Sequence, residues 1–200
     1  MNIDLRGRLA LIGGADGVLA RAVRDALSDN GAETARLDGA PPSPAGAQAP
    51  YLLVLASRGA DGLPETDAAF AGEAEEFARL VRAYAASLKR VVVLFSAAGL
   101  VPVRGLAAFS AGQAGIASLV RTLAMELGPD VAVNGVAVGD FEANAASSLR
   151  MLSHTALKRP AGIAEIVSAV LFLADPDNTY MTGHALAVDG GWSAGYARNF

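Results

Sequence analysis

The sequence predicts a single α/β domain in which a parallel sheet is covered by helices, a three-layer α/β/α arrangement. Short apolar runs of strand length alternate with segments whose apolar residues recur at helical spacing, which is typical of such a doubly wound sheet. The chain has 200 residues, of which 52% are hydrophobic and 18% charged. This length suits one domain, spanning residues 1–200, with a sizeable core.

Six short runs supply the predicted strands. In chain order they are Arg8–Ile12, Glu33–Asp38, Tyr51–Ala56, Arg90–Ser96, Val131–Gly139 and His184–Gly191. The first is followed by glycines and by a helix that Gly31 ends. Between the second and third runs, Gly39–Pro50 holds four prolines in twelve residues and is predicted to be a loop.

Two long helices are predicted from apolar residues spaced alternately three and four apart. The first, Pro64–Lys89, carries Phe70, Ala74, Phe77, Val81, Tyr84 and Leu88 on one stripe. The second, Leu106–Gly128, has a broader face formed by Leu106, Phe109, Ile116, Leu119, Val120, Leu123 and Leu127. Both faces either cover the sheet alone or also pack in part against another subunit.

Composition excludes several classes of function. The net charge is −4 and no lysine or arginine cluster occurs, so a nucleic-acid partner is not expected. No apolar run reaches the roughly 18 residues that span a bilayer, and the first residues do not resemble a secretion signal. The absence of cysteine excludes disulfides and thiolate chemistry and fits a cytoplasmic protein. With two histidines far apart in sequence, no metal site is expected.

A glycine turn follows the first strand and precedes a helix. The segment "GGADGVLARAV" contains Gly13, Gly14 and Gly17, and its G-x-x-G-x-x-A spacing occurs in nucleotide-binding folds. Glycines let the backbone approach a dinucleotide pyrophosphate, and the helix N-terminus offers free N–H groups and partial positive charge. Asp38 ends the second run, where a carboxylate commonly binds the adenosine ribose of NAD. The alternative is a tight turn that serves packing alone.

Four segments resemble the short-chain dehydrogenase/reductase family, and together they cover most of the chain. They are "LRGRLALIGGADGVLARAV", "VVVLFSAAG", "FSAGQAGIASLVRTLAMELGPDVAVNGVAVG" and "RPAGIAEIVSAVLFLADPDNTYMTGHALAVDGGW". The resemblance implies a Rossmann-like fold and hydride transfer between a nicotinamide cofactor and an alcohol or carbonyl. It also implies a catalytic serine, tyrosine and lysine.

Only the serine of these three has a counterpart. It matches Ser96, while the tyrosine position, thirteen residues later, holds Phe109 and the lysine position holds Gln113. In the family the lysine lowers the pKa of the tyrosine, whose phenol otherwise titrates near 10. Phenylalanine has no proton to transfer, and loss of a positioned acid or base typically removes roughly 10²–10⁴ in rate. Ser96 is then either a vestigial catalytic residue or a hydroxyl that bonds nearby backbone.

Two further departures concern the cofactor. Ala56, Ser57 and Arg58 stand where the family has Asn-Asn-Ala-Gly, which changes the floor beneath the cofactor. The family also places a helix and a strand between the second and third runs, for which this chain is too short. The sheet is therefore expected to lose one βα unit, leaving the second strand as its edge. We expect no cofactor, or weak NAD(H) binding.

Four other residues are of interest, and two of them, His154 and Trp192, have two interpretations each. His154 is either an exposed loop residue or a substitute acid–base group, since it lies in the region of the family's substrate loop. His184 is expected to be structural, and Asn134 to be a buried amide with backbone partners. Trp192 is either an interface anchor or part of the core.

Three functions remain open from the sequence. The first is a non-catalytic subunit that assembles with an active family member, or with itself, through the segments 64–89 and 106–128 and the C-terminal strand. The second is a weak or atypical NAD(H)-dependent oxidoreductase. The third is a cofactor-binding sensor without turnover.

Overall fold

One parallel sheet organises the part of the chain that the structure, a computed structural model, describes: residues 1–37, 49–67, 72–144 and 154–195. Its strands are β1 (Leu9–Gly14), β2 (Glu33–Arg36), β3 (Pro50–Ala56), β4 (Arg90–Ser96), β5 (Ala132–Val138) and β6 (Ala185–Val188). They lie in the order β2-β1-β3-β4-β5-β6, and every pair is parallel. All six predicted strands are confirmed, with ends that agree to within three residues. The central strands were recognisable because buried parallel strands are nearly continuous apolar runs.

Within the described residues, two helices cover each face of the sheet. On one face α2 (Glu73–Tyr84) and α3 (Ala107–Leu127) pack over a core that includes Phe77, Phe95 and Val120. On the other face α1 (Val18–Asp29) and α4 (Ile163–Ala174) enclose a second core. The three-layer Rossmann-like fold class is therefore confirmed.

The observed helix α2 is shorter than the helix predicted over Pro64–Lys89 from its apolar stripe. The observed helix α2 begins only at Glu73, after Gly72 has adopted a left-handed conformation with φ +83°. A right-handed helix cannot continue through that conformation, which glycine adopts at no steric cost. Phe77, Val81 and Leu88 are nevertheless buried as the stripe requires, whereas Phe70 lies outside the described residues. Helix α3 lies within one residue of its prediction.

The register of the parallel strands brings the candidate site residues to the end of the sheet where the strands have their carboxyl ends. Gly14 lies beside Ala56, and Ser96 lies beside Val138, at the carboxyl ends of their strands. The strand order reverses between β1 and β3, so the crevice at this end is where ligands bind in open α/β sheets. As expected, β2 forms one edge of the sheet within the described ranges.

No helix in those ranges combines the length and the apolar character that a bilayer span requires.

Candidate functional site

The glycine turn joins β1 to α1 with little space around it. Gly14 has φ +82°, and a Cβ there would overlap the backbone oxygen of Ala56. The N–H of Ala15 donates to that same oxygen at 2.7 Å. At Gly13 a Cβ would lie 2.9 Å from Leu55 Cδ2. Packing of β1 against β3 therefore already requires small residues at both positions.

Asp61 lies against the third glycine of the turn. It ends a short 3₁₀ turn, Arg58–Asp61, that follows β3, and its Oδ1 accepts the N–H of Leu19 at 3.2 Å. A Cβ at Gly17 would overlap its carboxylate. Partial burial raises the pKa of Asp61, opposed by the Leu19 N–H and by the charge of Arg21. The first turn of α1 thus has a carboxylate from elsewhere in the chain as its partner.

Arg36, at the end of β2, contacts the turn from the opposite side. Its Nη2 donates to the backbone oxygen of Gly14 at 2.6 Å, and Nη1 lies 3.5 Å from Asp16 Oδ1. Asp38, predicted to bind a ribose, lies outside the described residues. Beside Arg36 is a cavity of about 440 Å³ whose lining includes Gly14, Arg58, Glu73 and Phe77. This volume is in the range of small-molecule pockets.

Gln113 links the ends of β3 and β4 through its side-chain amide. Its Oε1 accepts the backbone N–H of Ser96 at 2.8 Å, and its Nε2 donates to Ser57 Oγ at 3.0 Å. A Cβ at Gly59 would lie 2.6 Å from Nε2, so glycine allows this approach. Gln113 is only 1% exposed, and both of its partners are buried. The amide therefore bonds within the protein rather than projecting into the crevice.

Ser57 and Glu73 extend this hydrogen-bond network toward α2. Ser57 Oγ donates to Glu73 Oε2 at 2.7 Å and accepts the N–H of Gly59 at 3.0 Å. Glu73 Oε1 accepts from the backbone N–H and the Nε of Arg58, at 2.9 and 3.0 Å. Glu73 is buried in the first turn of α2, where a carboxylate is favoured by the helix dipole. Its charge is thus compensated by an arginine and by hydrogen-bond donors.

Ser96 forms a local cap at the end of β4. Its Oγ accepts the N–H of Ala98 at 3.3 Å and so caps the 3₁₀ turn Ala97–Gly99. The residue is 2% exposed. This geometry is that of a hydroxyl bonding nearby backbone, one of the two interpretations of Ser96 given above.

Phe109 lies in the first turn of α3 and is completely buried in the core between the sheet and helices α2 and α3. Asp67 stands over the same turn, and its carboxylate accepts the N–H groups of Ala108 and Phe109 at 3.1 and 3.0 Å. These two hydrogen bonds hold the pKa of Asp67 below its ordinary value. The beginning of α3 is therefore fixed by a buried ring and an exposed capping carboxylate.

The remaining predicted residues lie away from this crevice. Asn134 is buried, donates to the backbone oxygen of Met181 at 2.8 Å and accepts the His184 N–H at 3.1 Å, which confirms its predicted backbone partners. His154 and His184 are exposed. Trp192 is partly buried against the core under α3. Within the described ranges, no group of three or more histidine or acidic residues is arranged to hold a metal ion.

Sequence reasoning missed Asp61, Arg36, Glu73 and Asp67, and it noted Ser57 only as a departure from the family's pattern. Asp61 and Leu19 are 42 positions apart, and Ser57 and Gln113 are 56 apart, so no local spacing reveals these contacts. One signal was available for Asp67. An aspartate before a helix is a common N-terminal cap, but here it caps a helix that begins 40 residues later rather than the next one.

Comparisons with known proteins give one consistent family. Residues 64–193, well over half of the chain, match a short-chain dehydrogenase/reductase family model described as Enoyl-(Acyl carrier protein) reductase. The chain is 38% identical over 107 residues to trans-4-hydroxycyclohexanecarboxylate dehydrogenase of Sinomonas cyclohexanicum, covering 52% of this chain and 41% of that protein. It is 36% identical over 109 residues to 3-oxoacyl-[acyl-carrier-protein] reductase FabG of Vibrio cholerae, covering 51% and 45%. These matches span less than half of each relative's length.

Solved structures share the fold at low sequence identity. Aldohexose dehydrogenase of Thermoplasma acidophilum, in ligand-free form, superposes with a TM-score of 0.75 at 17% identity, covering 100% of this chain and 99% of that one. A short chain dehydrogenase from Leptospira borgpetersenii with bound NAD+ gives 0.72 at 18% identity, covering 95% and 94%. With the fold, the family model and the relatives in agreement, the chain belongs to the short-chain dehydrogenase/reductase family.

Proposed function

We propose that this chain is a non-catalytic member of its family, a structural or regulatory subunit that assembles with an active NAD(P)-dependent short-chain dehydrogenase/reductase. The observation that carries the proposal is the environment of two side chains. Phe109, at the tyrosine position of the resemblance, is wholly buried, and the amide of Gln113, at the lysine position, is bonded to Ser57 and the Ser96 backbone. Neither side chain can donate a proton or carry a charge to a substrate.

The surfaces expected to meet a partner carry exposed apolar and small side chains, which supports the assembly half of the proposal. On α3 the outward residues include Ala111, Ala114 and Gly115, and Met125 is 78% exposed. Small residues of this kind allow a second helix to approach closely. Outside the predicted contact segments, Phe172 on α4 and Tyr180, which precedes the C-terminal strand in sequence, also expose apolar surface. Contiguous patches of exposed apolar surface are typical of protein interfaces, and these side chains are the ones from which such a patch would be built.

An active partner would gain stability from such a complex. A subunit that binds only the folded form of its partner shifts the folding equilibrium by mass action. The proposed subunit could therefore stabilise its partner without catalysing a reaction itself. Residues at its former catalytic positions could then be replaced by any that pack well in the core.

Co-expression tests the assembly. The chain is produced with a full-length short-chain dehydrogenase/reductase encoded in the same genomic neighbourhood, and the complex is measured by native mass spectrometry. We expect a mixed oligomer that Met125→Arg weakens. The matched control, Asp29→Arg, places arginine on the exposed end of α1 instead. Recovery of homo-oligomers alone, or equal loss with both variants, would count against the proposal.

Turnover measurements on the isolated chain test the second part of the proposal, that the chain is not catalytic. With NADH and a panel of carbonyl compounds, we expect no NADH oxidation above buffer. Saturable turnover that is lost in Ser96→Ala would support the alternative of an atypical oxidoreductase. Saturable NADH binding without turnover would support a cofactor sensor, for which the cavity beside Gly14 offers space.

A further inference from the structure

The N-terminus of α1 is already occupied by an anionic group from the chain itself. The first N–H groups of a helix have no partner within the helix. Gly17, which precedes α1, has no side chain to cap them, and the first turn contains no acidic residue. Asp61 supplies a partner through its hydrogen bond from Leu19, and its carboxylate fills the space beside the Gly17 Cα.

We infer that Asp61 is a built-in occupant of the glycine turn that excludes dinucleotide phosphates from it. A pyrophosphate bound at such a turn needs both the free N–H groups of the helix and close approach to the glycine backbone. Asp61 interferes with both requirements. One carboxylate oxygen accepts the Leu19 N–H, and the carboxylate occupies the space over Gly17. A second anion at this place would also meet the negative charge of the carboxylate, and like charges brought together repel.

The surroundings of the glycine turn support the inference that Asp61 alone excludes a dinucleotide from it. The cavity of about 440 Å³ adjoins the turn at Gly14 and Ala15, so space for the rest of a nucleotide lies next to the blocked position. Arg36 neighbours the turn but directs Nη2 to the Gly14 backbone oxygen, 2.6 Å away. Removing the Asp61 side chain alone would therefore free the Leu19 N–H and open space beside Gly17, while the backbone contacts of the turn stay in place.

Two variants of Asp61 test the effect of its negative charge separately from the effect of its size. Asp61→Asn keeps an oxygen that can accept the Leu19 N–H and removes the charge, whereas Asp61→Gly removes both. Because burial raises the pKa of Asp61, a neutral amide is compatible with this position, and Asp61→Asn is expected to fold. Asp67→Asn is the matched control, since Asp67 also accepts N–H groups at a helix N-terminus, that of α3.

NADH binding, followed by fluorescence and by calorimetry, tests the inference. We expect Asp61→Gly to bind NADH at least about tenfold more tightly than the original chain and Asp61→Asn to fall between them. Asp67→Asn should leave binding unchanged, and adding Gly17→Val to Asp61→Gly should abolish the gain. Equal affinity of the original chain and both folded Asp61 variants would overturn the inference, as would equally tight binding by Asp67→Asn.

This inference rests on the proposed function only in assuming that no cofactor occupies the glycine turn. The exclusion by Asp61 and the subunit role can be refuted separately. The same Asp61→Gly protein is assayed for assembly with the partner. A mixed oligomer without any gain in NADH binding refutes the exclusion alone. A gain in binding without a mixed oligomer refutes the subunit proposal alone.

Discussion

Replacing Gln113 by leucine tests whether this position now serves the fold. Leucine is similar in size but can neither accept the Ser96 N–H nor donate to Ser57. The Ser57 hydroxyl keeps its bonds to Glu73 and to the Gly59 N–H, whereas the buried Ser96 N–H loses its 2.8 Å partner. A buried donor left without an acceptor costs about 1–3 kcal/mol. We therefore expect the free energy of unfolding to fall by about that amount.

Thermal unfolding measures this loss directly. For a chain of this size about 1 kcal/mol shifts Tm by roughly 2–4 °C, so the expected decrease is roughly 2–12 °C. Ser118→Ala, an exposed change on the same helix, is the control and should stay within about 0.5 kcal/mol of the original. Unfolding temperatures that are equal for Gln113→Leu and Ser118→Ala would refute the structural role of the amide.

Two further predictions concern the start of α3. Phe109→Ala should cost about 3–5 kcal/mol in urea unfolding because the ring is wholly buried, and Phe172→Ala much less because that ring is 40% exposed; similar losses would contradict this. The pKa of Asp67 is lowered in the folded state by the N–H groups of Phe109 and Ala108, so its stabilisation is present above its ordinary pKa near 3.8 and disappears as the pH falls through the lowered value. Asp67→Asn should flatten this acid-side slope of urea midpoint against pH, and an unchanged slope would exclude the cap as its cause.

The fold was accessible from the sequence because the strands other than β2 are short apolar runs between turn residues. Val91 to Phe95 are all buried, and such runs stand out without any alignment. Helix α2 was predicted too long because apolar spacing continues into residues that pack on the core outside a helix, as Leu88 does. Periodicity records which side chains are buried and does not by itself mark where the backbone turns at Gly72.

The candidate site was accessible only in part. Gly14, Gly17, Ser96, Phe109 and Gln113 could be located because a spacing pattern or the family resemblance points to each. What the amide of Gln113 bonds to, and what lies on the glycine turn, could not be predicted. Both depend on polar contacts between segments that only the folded sheet brings together.

The short β2 strand has a consequence for solubility. Within the described ranges it pairs with β1 alone, and an open edge offers backbone groups on which a foreign strand can assemble. This edge is only four residues long and has a charged residue at either end, Glu33 and Arg36. Short length and terminal charge both discourage intermolecular pairing. This edge of the sheet therefore has features that protect against aggregation.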